Sequence, residues 1–190
     1  LGIMCQTGYT ASKLMWFRKH YPEQFTQIKK VMLPHDYLNY WLTGNFCTEF
    51  GDASGTGYFD IINRKWSNEV FSKIAPELVM NDVLPTLLSA EKKLGVLKPE
   101  IAALFGFNKN VTVSTGGGDN MMGAIGTGNI HEGIATMSLG TSGTLYAFTN
   151  RFLSNLPPMI ANFCSSSNGW LPLICVMNMT SSNKQLMNLF

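Results

Sequence analysis

A short β-branched run, Val111–Val113, leads into Ser114-Thr115-Gly116-Gly117-Gly118-Asp119-Asn120. It reads as a strand, a tight loop and the start of a small-residue helix, with one carboxylate at the junction. Glycine lets the backbone turn this sharply and lets a ligand come close to it. A helix N-terminus favours the ionised form of an Asp. Such a group orients a substrate hydroxyl and takes its proton late in phosphoryl transfer, where positioning counts for more than basicity. Downstream, Ser138-Leu139-Gly140-Thr141-Ser142-Gly143-Thr144 forms a second glycine-punctuated turn between the strand-like runs Ile134–Met137 and Leu145–Phe148. Its N–H groups and the Thr141 hydroxyl suit phosphate oxygens, in the manner of an anion-binding nest. A proton acceptor beside a phosphate cradle suggests phosphoryl transfer, although no GxxxxGK[ST] loop occurs in the chain. Plainer uses remain open: Asp119 as the cap of a tight strand–helix connection, and Gly140–Gly143 as an ordinary hairpin turn.

Several elements must position these groups. Thr10 suits the cap of a helix through Lys13 and Trp16 that stops before Pro22, and Pro22 opens a second helix, Glu23 to Lys30. Pro34 starts a third over His35 to Leu42, closed by Gly44 in a left-handed cap. A strand over Phe46–Phe50 leads into the loop Gly51–Gly57 and a strand over Tyr58–Ile62, and Ser67 caps a helix reaching Ala75. Pro99 to Phe105 forms a helix ended by Gly106, and Asn120 to Gly128 another. Beyond Ile130 strands dominate, which places a domain boundary near residue 128. Lys13, His35 and His131 are expected in ordinary surface roles, Asp52 as a cap, and Trp16, Trp41, Trp66 and Trp170 as core or interface anchors.

The balance of the chain excludes other classes. Net charge is +2 with 14% charged residues among 190, so there is neither the basic footprint of a nucleic-acid binder nor a membrane-binding basic helix. The apolar stretch Leu171 to Met177 contains Pro172 and falls far short of the roughly 20 residues that span a bilayer. Cys5, Cys47, Cys164 and Cys175 show no metal or redox spacing, as expected of buried reduced thiols in a cytoplasmic protein. The sequons at Asn110 and Asn178 are then chance matches. The chain starts at Leu1 and reads as an internal fragment. Its apolar end, Phe152 to Phe190, looks like strands that need neighbours.

The segment Gly8-Tyr9-Thr10-Ala11-Ser12-Lys13-Leu14-Met15-Trp16-Phe17-Arg18-Lys19-His20 resembles the first signature of the FGGY sugar kinases, built around Lys-x-x-Trp. Leu33-Pro34-His35-Asp36-Tyr37-Leu38, Leu42-Thr43-Gly44 and Asp52-Ala53-Ser54-Gly55-Thr56 are similar to the xylulokinase branch. The Gly116–Asn120 and Ser138–Gly143 segments resemble that family's catalytic and phosphate segments in order and separation. The resemblance implies an α/β, actin-like, ribonuclease H-like two-domain kinase fold, incomplete here. Residues 1–128 would be the rear part of the N-terminal domain and residues 129–190 the start of the C-terminal one. It implies phosphorylation of a pentulose, D-xylulose foremost, by ATP with Mg²⁺. Asp119 would be the catalytic base, Asn120 a sugar contact, and Gly140 and Thr141 contacts to the ATP phosphates, with no protein metal ligand assigned. Partners would be the sugar and ATP, without nucleic acid or membrane, and a homodimer is one expected assembly. Two other readings stay open: a sibling kinase for ribulose, gluconate or glycerol, and an inactive actin-like binding module. The family's first phosphate loop and adenosine-binding glycines are not in these residues, so the isolated chain is expected to be inactive.

Overall fold

The computed structural model describes residues 1–189, so the expectation for Phe152 to Phe190 ends, at its last residue, outside the described part. Its first half is a helical layer on small sheets. Helix α1 (Thr10–His20) starts from Tyr9, and Thr10 is its first helical residue rather than its cap. The start is tied down by the Ala11 N–H, which donates to the Thr56 carbonyl at 2.8 Å. Helix α2 is only Pro22–Phe25, shorter than the expected run to Lys30. The Thr26 hydroxyl turns back onto the Glu23 carbonyl and Val31 N–H is drawn to the Val83 carbonyl, so tertiary partners take over from the helix. Helix α3 (Pro34–Thr43) closes at Gly44 with φ +82°, as the Pro and Gly signals require.

Strand β1 (Cys47–Glu49) is cut short because Phe50 opens helix α4 (Phe50–Ala53), part of what reads in sequence as a loop. The cause is Glu49, whose buried carboxylate accepts from the N–H groups of Gly51 and Asp52. Strand β2 (Phe59–Asp60) is likewise shorter than expected and pairs with β3 (Lys65–Trp66). Ser67 caps α5 (Asn68–Ile74) by accepting from Val70 N–H. After α6 (Met80–Val83), β4 (Thr86–Leu88) pairs parallel with β1. Strand β5 (Lys93–Val96) pairs antiparallel with β6 (Thr112–Ser114), and α7 (Pro99–Phe105) between them ends at Gly106, φ +68°. Leu42 of α3 and Val113 of β6 pack on Leu97, Ile101 and Ala102. That contact sets α3 beside the strand feeding the glycine loop.

Helix α8 (Asp119–Gly126) then leads to a four-stranded antiparallel sheet in the order β7 (Ala135–Leu139), β8 (Gly143–Ala147), β10 (Trp170–Val176), β9 (Ile160–Cys164). Leu139 pairs with Gly143, so Gly140–Ser142 is a three-residue hairpin turn. Packing runs across residue 128: Met121 and Ala124 of α8 bury against Tyr146, Phe148, Leu171 and Leu173, and Cys164 joins Ala53, Phe59 and Ile61. Helix α9 (Met179–Met187) has no buried residue. Expectations for single side chains fare unevenly. Cys164 is buried, but Cys5 and Cys175 are exposed, because neither reaches a cluster able to cover it. Trp66 and Trp170 are partly buried against the core, whereas Trp16, on the outer face of α1, is 55% exposed.

Candidate functional site

The strand–loop–helix expected around Asp119 forms as read. Gly116 takes φ +75°, a conformation L side chains resist, and Gly118 caps α8. Asp119 is the first residue of α8 and its side chain is exposed. Its Oδ1 accepts from the backbone N–H and the side-chain amide of Asn120, at 2.8 and 3.2 Å. Its second oxygen has no hydrogen bond among the described residues, which leaves it open to a hydroxyl or a cation. Asn120 in turn accepts from the Thr144 hydroxyl on β8 at 3.0 Å. That amide therefore links the carboxylate to the hairpin that carries the second turn.

The second turn is built differently. The Gly140 N–H donates to the Ser142 carbonyl at 3.0 Å, and the Gly140 carbonyl accepts from the Thr180 hydroxyl at 2.7 Å. Gly140 is therefore engaged at both ends, and what the turn presents is the exposed Thr141 and Ser142. Both the phosphate reading and the hairpin reading are compatible with this geometry.

Beneath the glycine loop lies a cluster of charge. His35, the second residue of α3, is half-buried rather than on the surface. Its Nδ1 lies 3.0 Å from Asp52 Oδ2 and 3.5 Å from Asp36 Oδ1; its Nε2 lies 2.6 Å from the Thr115 carbonyl oxygen. Asn39 donates to the same carbonyl at 2.8 Å. A Cβ on Gly116 would stand 2.8 Å from His35 Nε2, and one on Gly118 would stand 3.6 Å from Asp52 Oδ1. The imidazole and Asp52 thus form the floor of the loop. The hydrogen bond that His35 donates to Asp52 pushes the His35 pKa up to about 9, against the opposing effect of burial. Burial pushes Asp36 up to about 6 and Glu49 up to about 7. Among the described residues Asp36 Oδ1 and Thr48 Oγ1 have no hydrogen-bond partner, and Asp36 and Thr48 line a small cavity of about 10 Å³. The Ser166 hydroxyl is another buried group without a partner among the described residues, 2.6 Å from where a Cβ of Gly117 would stand.

His35, Asp36 and Asp52 bring ligand-type atoms within 4.8 Å of one another. Both ring nitrogens of His35 face acceptors, so the imidazole is a double donor and not a metal ligand. Sequence reasoning missed His35. Its signal was a potential cation at a helix N-terminus, which the helix dipole disfavours unless carboxylates surround it.

An exposed carboxylate delivered by a glycine loop at a helix start is compatible with phosphoryl transfer as well as with a plain helix cap. The N-terminal domain of the FGGY family of carbohydrate kinases matches residues 1–126, and this chain belongs to that family. It is 79% identical over 189 residues to a protein named xylulose kinase from Haemophilus influenzae, with all of this chain and 38% of that protein covered. The solved structure of a xyloylose kinase from Brucella ovis superposes with TM-score 0.90 at 32% identity, covering 99% of this chain and 38% of that one. Glycerol kinase from Plasmodium falciparum, solved with ADP, superposes at 0.82 with 20% identity, covering 98% of this chain and 38% of that one; that likeness speaks to the fold alone. The fold is the actin-like, ribonuclease H-like kinase fold, of which this chain spans about 38% of the length of the curated relative.

Proposed function

We propose that this chain supplies the base and part of the phosphate wall of a kinase that transfers the γ-phosphoryl group of ATP to a hydroxyl of D-xylulose. Residues 1–128 are assigned to the rear of the N-terminal domain and residues 129–190 to the start of the C-terminal one, following the change from two-stranded sheets to a four-stranded one after α8. The sugar hydroxyl oxygen attacks the γ-phosphorus, the bond to the bridging β-γ oxygen breaks, and the hydroxyl proton passes to Asp119. Asn120 steadies that carboxylate and offers its remaining amide capacity to a sugar hydroxyl. Thr141, beside Gly140, donates its hydroxyl to a phosphate oxygen. Mg²⁺ would be held by the ATP phosphates and would neutralise charge on the transferring group, leaving the open oxygen of Asp119 to the sugar hydroxyl.

The observation that carries this reading is the exposed Asp119 carboxylate at the start of α8, backed by a relative 79% identical that is named a xylulose kinase. The test is a full-length enzyme made by setting residues 1–190 into the matching stretch of the Haemophilus influenzae relative. It is assayed for ATP-dependent phosphorylation of D-xylulose, L-ribulose, glycerol and gluconate. The highest kcat/KM is expected on D-xylulose; preference for another acceptor would reassign the substrate.

A further inference from the structure

His35 sits where a cation is least welcome, in the first turn of α3, and its two ring nitrogens settle its charge. A carbonyl oxygen has no proton to give, so at 2.6 Å from the Thr115 oxygen Nε2 must carry one. An ionised Asp52 has none either, so at 3.0 Å Nδ1 must carry the other. An imidazole bearing both protons is an imidazolium. The 3.1 Å approach of the Asn39 amide nitrogen to Nε2 is then that of two donors converging on one carbonyl. The groups facing the ring are Asp36 on its own helix, Asp52 from α4, Glu49 at the cap of α4, and the uncharged Thr115 and Asn39.

Thr115 is fully buried and is the last residue before the glycines. Its hydroxyl donates to the Lys92 carbonyl at 2.7 Å, which fixes it toward β5, while its own carbonyl is fixed toward α3 by His35 and Asn39. Gly116 follows at once in the left-handed conformation. We propose that His35 is a positioning residue, an imidazolium that ties Asp52 to the Thr115 carbonyl and so fixes the glycine loop that presents Asp119. This rests on the reading of Asp119 as the base. Loss of one ring proton would turn a lone pair toward either the carboxylate or the carbonyl, and the loop would lose its floor. A displacement of about 1 Å at a reacting group can cost roughly a hundredfold in rate.

The experiment uses the full-length enzyme described above. Nitrogen-15 NMR of its histidines at pH 7.5, with the His35 signal assigned by its loss in His35→Gln, is expected to show both ring nitrogens protonated. His35→Gln keeps a donor but not the charge. It should lower kcat by roughly ten- to a hundredfold with both KM values close to wild type, speed hydrogen exchange at Gly116 to Gly118, and abolish a fall in kcat near pH 9. His35→Lys, which keeps the charge, should recover most of kcat and leave no such fall near pH 9. A neutral His35 ring, or His35→Gln with unchanged kcat and unchanged loop exchange, would overturn the proposal. If His35→Gln fails to fold, Asp52→Asn removes the same link from the other side and should show the same kcat and exchange changes. The Asp119 reading fails separately, through near-normal turnover of Asp119→Asn, while the NMR and exchange measurements still report on the clamp.

Discussion

The two glycine turns that could meet a phosphoryl group are supported in opposite ways. Gly116–Gly118 rests on a floor of Thr115, His35, Asn39 and Asp52: His35 and Asn39 of α3 bond the Thr115 carbonyl, Asp52 of α4 bonds His35, and the Thr115 hydroxyl donates to the Lys92 carbonyl just before β5. Gly140–Ser142 stands out from the end of a hairpin, held by its own backbone, by Thr180, and by Met179 packed against Gly143. The first is fixed by groups distant in sequence before any ligand arrives. The second is held by its own backbone and by the start of α9, and its outer residues Thr141 and Ser142 are exposed to a ligand. Geometry for proton transfer must be held tightly, whereas a flexible charged triphosphate tolerates an adaptable contact.

The largest expected effect is at the carboxylate the rigid loop presents. In the full-length enzyme, Asp119→Asn should lower kcat at least roughly 100-fold with a modest change in KM for ATP, measured by coupled ADP release; near-normal turnover would reduce Asp119 to a cap. A direct contrast of the turns comes next. Gly116→Ala forces an L residue to φ +75° with its Cβ 2.8 Å from His35 Nε2, and should cost about 1–3 kcal/mol of stability by denaturant unfolding. Gly140→Ala has no positive φ and meets only the Ser142 carbonyl at 3.2 Å, so it should cost less than about 1 kcal/mol. Equal costs would erase the distinction between a supported and an unsupported turn.

Thr141→Val should raise the KM for ATP roughly tenfold, the loss of one hydrogen bond to a charged oxygen, and leave the sugar KM nearly unchanged; a change in the sugar KM alone would move the turn to the other substrate. The smallest effect is in pH. Glu49 and Asp36, both raised by burial to about 7 and about 6, bind protons more tightly in the folded state than in the unfolded one. Stability therefore falls as pH rises from about 4 to about 7. His35, raised to about 9, extends the fall: its contribution is complete below its ordinary value near 6.5 and is lost as pH climbs through 9. Melting temperatures should follow, with Glu49→Gln flattening the lower stretch of the curve and His35→Gln the upper.

Local signals were legible in the sequence. The caps at Gly44, Ser67 and Gly106, the glycine loop and the hairpin of β7 and β8 depend on residues a few positions apart, and they formed where the residue types require. What was hidden depends on distance. His35 meets Asp52 17 positions away and Thr115 80 away, so no window of sequence contains the clamp. Glu49 ended β1 early because its buried carboxylate found two N–H groups, a choice that strand propensity does not register. Helix α2 stopped at Phe25, a fully buried side chain whose place in the core outweighs the five more residues of helix to Lys30.

The sheet order leaves β7 at one rim and β9 at the other. Along β7 most side chains are exposed, and Met137 and Leu139 present apolar surface. A row of unsatisfied backbone donors and acceptors flanked by apolar side chains is a template for another strand. Prepared alone at high concentration, the polypeptide should scatter light through edge-to-edge stacking at β7, and a lysine introduced on that rim should keep the solution clear.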